Sequence, residues 1–245
     1  MRELISVVGD RWWQPFAMID GEDSTRIRWE LVREFRPLIY FQREYEKNKR
    51  IHYPGNLGYW PPVISCPFSA MSENLPPKVE KQLNVYAVFG ETHGMRAITI
   101  KHLQDMKIPK SNLWMDNVLM DSTLGGRSNL AGYLEGISKS RIGASVRGHG
   151  MDTVRYWEIP MFDTLLFTHD NGQEHPHPFA DGKTCAVFKN DFSDFKEKLQ
   201  YYIEDENECR KVANAGREHL YKYHTSEQRA KCVLEHINIQ TDGKR

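Results

Sequence analysis

The feature that most limits what this chain can fold into is a strand–turn–helix–strand pattern over residues 142–168. The apolar run at 142–146 predicts a strand, a glycine-containing turn follows it, and Asp152 or Thr153 opens a helix. A second apolar run at 164–168 predicts the next strand. This order is typical of a βαβ unit, in which two parallel strands of one sheet flank a helix.

The turn inside this unit carries a candidate anion site. Gly148 and Gly150 let a ligand approach the backbone, and the first N–H groups of the helix point toward that space. Arg147 adds positive charge, while Arg155 and Glu158 are three positions apart and share one helix face. A bound nucleotide diphosphate and its ribose would suit this set of donors and its carboxylate. The alternative is an ordinary surface loop, with Arg155 and Glu158 as a helix ion pair.

Short apolar runs and helical segments also alternate on both sides of this unit. Strands are predicted at 85–89, 114–120, 142–146, 164–168 and 184–188, and helices at 95–106, 129–138, 192–203, 206–223 and 226–237. This alternation predicts an α/β fold with a doubly wound, Rossmann-like parallel sheet. The ligand of such a sheet sits beyond the carboxyl ends of the strands.

The first part of the chain predicts a smaller α/β portion. Strands are expected at 16–19 and 38–41, with a helix over 25–35 that Pro37 ends. The proline-rich stretch that follows is the least periodic part of the chain and is typical of a crossover between domains. We therefore expect two domains, 1–75 and 76–245, with a boundary near residue 75.

Polar residues of this first part have ordinary structural explanations. Turn formation and helix capping are the favoured roles for Asp20 and Asp23. Arg43 and Glu44, which follow the second predicted strand, are explained by a solvated ion pair.

Composition limits the class of partner. The chain has 33 lysines and arginines against 33 aspartates and glutamates, so its formal net charge is +0. General nucleic-acid binding is not expected, because such binding depends on an excess of clustered positive charge. Four widely spaced cysteines suggest reduced thiols in a cytoplasmic protein. No apolar run approaches the roughly 18 residues that span a bilayer, and no signal-peptide pattern opens the sequence.

Three further segments are weaker candidates. Arg96 lies in the first turn of a predicted helix, where it could reach a phosphate. The stretch 125–129 precedes another helix and is explained by capping. The loop 169–177 gathers three imidazoles and two carboxylates, but Pro176 makes metal geometry hard to infer, and a loop over the ligand is the favoured interpretation.

The run after the strand at 142–146 resembles a known family. Its residues are Arg147-Gly148-His149-Gly150-Met151-Asp152-Thr153-Val154-Arg155-Tyr156-Trp157-Glu158. This run is similar to the one that opens the donor-site helix in the C-terminal domain of CgeB-like and exostosin-like glycosyltransferases. The segments 20–23 and 40–44 resemble the last part of the N-terminal domain in CgeB-like proteins. The resemblance implies a GT-B architecture, with 76–245 as the donor domain and 1–75 as a remnant of the acceptor-side domain.

The resemblance also implies an activity, the transfer of a sugar from a UDP- or GDP-linked donor to a hydroxyl of a glycan, a protein or another acceptor. No bound metal is expected. The implied site consists of Arg147, Arg155 and Glu158 as catalytic residues, with Arg96, Gly148, Gly150, Asp152 and Thr153 binding the donor. Phosphates would meet the three arginines and the ribose would meet Glu158, whereas Asp152 would cap the helix or contact the sugar.

Alternative functions are a non-catalytic nucleotide-sugar-binding subunit and a regulatory domain. The first would need a partner chain, or self-association, to supply the acceptor half.

Two departures from the family pattern are visible. Many retaining enzymes of this architecture carry two glutamates eight positions apart; Glu158 matches the second, but the first falls on Gly150. In addition, Pro160 and Asp163 replace an alanine and a glycine. Pro160 should end or kink the helix, and Asp163 should tolerate a left-handed turn.

Overall fold

The computed structural model describes residues 16–55, 61–70, 77–116 and 130–242. The first part of the chain forms a three-stranded parallel sheet in the order β1-β2-β3. Its strands are β1 (Ala17–Asp20), β2 (Ile39–Gln42) and β3 (Val63–Ser65), and helix α1 (Trp29–Phe35) connects the first two. In the register of this sheet, Ala17 lies opposite Ile39 and Tyr40 lies opposite Val63.

A five-stranded parallel sheet forms the rest of the molecule, in the order β5-β4-β6-β7-β8. Its strands are β4 (Leu83–Gly90), β5 (Ser111–Asp116), β6 (Ser140–Ser145), β7 (Leu165–His169) and β8 (Ala186–Phe188). Its helices are α2 (Gly94–Met106), α3 (Leu130–Ser138), α4 (Val154–Glu158), α5 (Phe195–Glu204) and α6 (Glu206–Tyr223), and helix α7 (Ser226–Asp242) ends the described chain. The predicted α/β class with a doubly wound parallel sheet is confirmed.

Helices cover both faces of the larger sheet, as the side-chain alternation of β4 shows. Val85, Ala87 and Phe89 join a cluster with residues of α2 and α5. Tyr86 points to the opposite cluster, which contains the fully buried Trp157. Successive residues of a strand face opposite sides of a sheet, so a strand buried on both faces is apolar throughout.

The helix after the predicted turn is short. Helix α4 ends at Glu158 and continues as a 3-10 turn over Ile159–Phe162 with Pro160 in its first positions. Asp163 then adopts a left-handed conformation with φ 53°. Both expectations, a helix stopped by Pro160 and a left-handed turn at Asp163, are confirmed.

Other element predictions need correction. Strand β3 lies within the proline-rich stretch that was expected to be a crossover, and α1 begins at Trp29, later than the predicted start at 25. Strand β5 covers 111–116, so the rest of the predicted 114–120 strand lies outside the described residues.

Two further predictions also fall outside the described part of the chain. They are the cap at 125–129 and the domain boundary near residue 75.

The last helix returns to the smaller sheet. Val233 and Ile237 of α7 pack against Leu38, Ile39 and Phe41 of the β2 segment. Helix α7 therefore ties the end of the described chain to its beginning. In the described ranges, no helix is both long enough and apolar enough to cross a bilayer.

Candidate active site

The strand order of the larger sheet defines where a ligand would bind. The chain leaves β4 for β5 on one side and returns to β6 on the other, so the connections diverge between β4 and β6. Crevices at such a switch point, beyond the carboxyl ends of the strands, are where doubly wound sheets bind ligands. Two loops meet there, residues 90–94 after β4 and residues 146–153 after β6, which we call the β6–α4 loop.

Arg96 joins these two loops. Its Nε donates to the Arg147 carbonyl at 3.1 Å and its Nη1 donates to the Gly90 carbonyl at 2.9 Å. A Cβ added at Gly148 would lie 2.6 Å from Arg96 Nη2, so the glycine is required for this close approach. Only 8% of Arg96 is exposed, and burial together with the charge of Arg155 lowers its pKa to about 10.

Positive charge accumulates around Arg96. Burial lowers the pKa of His93, and the charges of Arg147, Arg96 and His149 lower it further. We call His93, Arg96, Arg147, His149 and Arg155 the cationic cluster. Within the described residues, none of its three guanidinium groups pairs with a carboxylate, and the buried Nε atoms of Arg147 and Arg155 have no hydrogen-bond partner.

Glu158 lies beside this cluster and is only 5% exposed. Tyr133 of α3 donates its hydroxyl proton to Glu158 Oε2 at 2.8 Å. The Arg155 guanidinium lies 5.6 Å from the centre of the Tyr133 ring and 5.0 Å from that of Phe89. These contacts, which the sequence did not indicate, hold the carboxylate by a hydrogen bond and place the guanidinium against two aromatic rings.

The predicted helix cap at Asp152 is wrong. Thr153 is the residue before α4, and it forms no side-chain cap bond. The Asp152 carboxylate makes no cap bond to the helix backbone and accepts hydrogen bonds from the Phe68 amide at 2.6 Å and from Trp157 Nε1 at 2.8 Å. Burial raises the pKa of this carboxyl to about 6. Asp152 thus connects the β6–α4 loop to the segment after β3.

Glu44 is the residue of this region that sequence reasoning did not place here. It follows β2 and accepts hydrogen bonds from the backbone N–H of Met151 at 2.7 Å and of Asp152 at 3.1 Å. It is 1% exposed and Arg43 is 8% exposed, so the suggested solvated ion pair is wrong. Two N–H groups that were expected to face a phosphate are therefore held by a carboxylate of the protein.

The histidine-containing loop at 169–177 has internal partners. His169 Nε2 accepts the Arg147 N–H at 3.2 Å, and His175 hydrogen-bonds Gln173 at 3.0 Å. The His177 ring stacks on Tyr223 with 4.2 Å between centroids. In the described part of the chain, no three histidine, cysteine, aspartate or glutamate side chains come together in a way that could hold a metal ion.

Comparison with protein-family models assigns the chain to a family. A family model described as "Glycosyl transferase-like" matches residues 101–235, which is more than half of the chain. The chain belongs to this glycosyltransferase-like family. No curated protein matches its sequence.

Solved structures share the fold. TarM matches with a TM-score of 0.57 at 8% identity over 89% of this chain and 54% of that one. The pneumococcal O-GlcNAc transferase GtfA, solved with UDP and GlcNAc, matches with a TM-score of 0.56 at 9% identity over 98% of this chain and 55% of that one. Sucrose-phosphate synthase from Thermosynechococcus elongatus matches with a TM-score of 0.53 at 13% identity, over 76% of this chain and 54% of that one. The chain thus adopts a GT-B-like fold and spans about half the length of these neighbours.

Proposed function

We propose that this chain binds a nucleoside diphosphate sugar at the switch point and transfers the sugar to an acceptor hydroxyl. The observation that carries the proposal is the cationic cluster, in which Arg96 lies near both Arg147 and Arg155 and none of the three has a carboxylate partner among the described residues. Arg96 is buried, and Arg147 and Arg155 are half-buried. Charge removed from water without a partner is costly, and a diphosphate would supply the missing negative charge. Family membership gives this anion site a reaction class.

Sugar transfer requires a site that stabilises the departing diphosphate. The bond between the sugar carbon and the diphosphate oxygen breaks, the acceptor oxygen forms the new bond, and the acceptor proton is released. Negative charge grows on the diphosphate as it departs, and Arg147 and Arg155 are positioned to stabilise it without a metal. Arg96 acts mainly by holding the backbone of both loops. Glu158 accepts the ribose hydroxyls in this scheme.

Gly148 and Gly150 acquire different roles from those first expected. Gly148 makes room for Arg96, and the space beside Gly150 holds Glu44 and Asp23. Asp152 serves as a structural link, and Thr153 bonds Ser145 through its hydroxyl at 3.2 Å. The phosphates would therefore meet side chains of the cationic cluster, and the N–H groups of Met151 and Asp152 would remain with Glu44.

The finer assignments also belong to this proposal. We assign the CgeB-like and exostosin-like subfamily from the motif at 147–158, and a uridine donor is favoured because GtfA was solved with UDP. The smaller sheet, within 1–75, would be the acceptor-side remnant, and 76–245 would form the donor domain. A cytoplasmic location fits the four free thiols.

Titration calorimetry with UDP and GDP tests the proposal. Arg147→Ala should weaken UDP binding tens-fold, since a charge-assisted hydrogen bond contributes about 1.5–3 kcal/mol, and should leave the melting temperature unchanged. Arg96→Ala should weaken binding less, but should lower the melting temperature because two carbonyls lose their donor. Absence of nucleotide binding by the unaltered protein, or equal binding by all three proteins, would contradict the site.

Turnover separates transfer from binding alone. The unaltered chain should hydrolyse or transfer from at least one member of a panel of UDP- and GDP-sugars. Tight nucleotide binding without turnover would favour the alternative, a nucleotide-sugar-binding subunit that needs a partner chain. One structural neighbour is a complex of two proteins, GtfA/B, which makes this alternative concrete.

A further inference from the structure

We infer that Glu44 is a positioning residue, whose carboxylate reaches from the smaller sheet and fixes the β6–α4 loop for donor binding. This inference rests on the proposed function for its ligand. Glu44 follows β2 and contacts a loop more than one hundred residues further along the chain. The contact therefore makes the geometry of the donor site depend on the smaller sheet.

The hydrogen bonds of Glu44 restrict the backbone conformation of the β6–α4 loop. One carboxylate oxygen accepts the Met151 N–H at 2.7 Å and the other accepts the Asp152 N–H at 3.1 Å. Gln173 adds a side-chain amide donor at 3.3 Å. A carboxylate that accepts from successive backbone amides holds their relative orientation. Arg147 and Gly148 precede these amides in the same loop, so their positions depend on this contact.

The packing at Gly150 shows that the loop is built around this carboxylate. A Cβ at position 150 would overlap Glu44 Oε1 and would lie 2.7 Å from Asp23 Oδ1. No side chain therefore fits at position 150 while Glu44 is in place. The sequence pattern left Gly150 as an unexplained departure, and the position of Glu44 gives that glycine a physical reason.

The charge of Glu44 is balanced on its own side of the site. Arg43 Nη2 lies 3.4 Å from Glu44 Oε1 and also pairs with Asp23. The Arg43 guanidinium lies 4.4 Å from the centre of the Phe68 ring. Because Arg43 compensates Glu44, this carboxylate does not have to neutralise Arg147 or Arg155. The cationic cluster keeps its positive charge for the phosphates.

Two substitutions, one in each partner, test the contact between Glu44 and the β6–α4 loop. Glu44→Gln keeps the volume but presents an N–H to one of the two backbone donors, and Gly150→Ala displaces the carboxylate with a methyl group. Each should raise the UDP dissociation constant about tenfold, the loss expected for one charge-assisted contact. Each should also accelerate amide hydrogen exchange of residues 148–152 in the ligand-free protein.

Matched controls isolate the effect from general destabilisation. Asp163→Asn weakens a partly buried ion pair at the opposite edge of the sheet, and Gly21→Ala adds a methyl group with nothing within 4 Å. Both controls should leave UDP affinity and exchange of residues 148–152 unchanged.

The outcomes distinguish this inference from the proposed function. Unchanged loop exchange in Glu44→Gln and Gly150→Ala would overturn the inference, as would UDP binding that responds to Arg147→Ala but not to these two variants. If the unaltered protein bound no nucleotide, the donor role of Glu44 would fall with the proposed function. Accelerated loop exchange would then support only a structural contact.

Discussion

At the amino-terminal edge of the five-stranded sheet, the Asp163 carboxylate pairs with Arg217 and lies near Lys81. At the carboxyl edge, no described carboxylate pairs with Arg96, Arg147 or Arg155. Lys81, just before β4, donates to the carbonyls of Ser138 and Phe162 at 2.9 and 2.7 Å and to Thr164 Oγ1 at 2.9 Å. Arg217 of α6 pairs with the Asp163 carboxylate at the same edge.

The carboxyl edge holds one buried and two half-buried arginines in a different environment. Arg96 lies near both Arg147 and Arg155, and carboxylates of the described chain do not pair with them. Burial of a charge therefore does not by itself indicate a binding site. The difference between the edges is the presence or absence of a negatively charged partner, which a ligand can supply.

The largest effect expected from this comparison is on stability at the amino-terminal edge. Asp163→Asn keeps the side-chain volume and the tolerance for φ 53°, but removes the charge that faces Arg217. The free energy of unfolding should fall by about 2–3 kcal/mol, since both partners keep some exposure and fully buried pairs lose more. Urea unfolding measures this loss, and calorimetry should find UDP affinity unchanged. A large loss of affinity would show that the two edges are not independent.

A smaller effect is expected on affinity at the carboxyl edge. Glu158→Gln keeps an acceptor for the Tyr133 hydroxyl but loses the charge that strengthens bonds to ribose hydroxyls. Nucleotide binding should weaken by about 1–2 kcal/mol while the melting temperature stays within a degree or two. Tyr133→Phe serves as the control for the internal bond. Reduced stability with unchanged affinity would make Glu158 a structural carboxylate, like Asp163.

The fold was largely predictable because its elements carry strong local periodicity. Helix α6 was predicted with its observed bounds, 206–223, and β4 was found to within two residues. Strand β3 was missed, since its three residues are flanked by prolines and its pairing with β2 depends on a distant segment. Local pattern identifies a long amphipathic helix well, but it says little about a short strand that tertiary pairing stabilises.

The site was predictable only where it is local in sequence. The glycine turn, Arg147 and helix α4 are contiguous in sequence, and a short helix follows the turn as predicted. Glu44 could not be placed, because its partners are separated from it by more than one hundred residues. Its position directly after a parallel strand was the one available signal. For the same reason, the sequence could not predict that the N–H groups of Met151 and Asp152 donate to Glu44.

A pH experiment probes the amino-terminal edge more finely. Burial lowers the pKa of Lys81 from 10.5 to about 8, so between these values the unfolded chain keeps a proton that the folded protein has lost. Stability contributed by this group should therefore rise with pH, by roughly 1 kcal/mol per unit between pH 8 and 9.5. Urea unfolding of the unaltered protein and of Lys81→Met measures the difference.

The quantity to compare is the pH dependence of the free energy of unfolding in the unaltered protein and in Lys81→Met. Burial raises the pKa of Cys185 to about 12 and of Cys209 to about 11, which lowers stability over the same pH range in both proteins. Subtraction removes that contribution. If the two pH dependences were parallel, the Lys81 ammonium would retain its ordinary pKa and the three oxygen acceptors would fully compensate its burial.

The smallest effect expected is that of a chelator. If guanidinium groups alone stabilise the diphosphate, EDTA should change UDP affinity by less than a factor of about two, within calorimetric error. His175→Ala should lower stability, because this buried ring packs against Tyr156 and Trp157, but should not alter nucleotide affinity. Elemental analysis of the purified protein provides an independent measurement. A stoichiometric metal that disappears with the His175 imidazole, and takes nucleotide binding with it, would mean that a metal ion, and not the cationic cluster, supplies the positive charge.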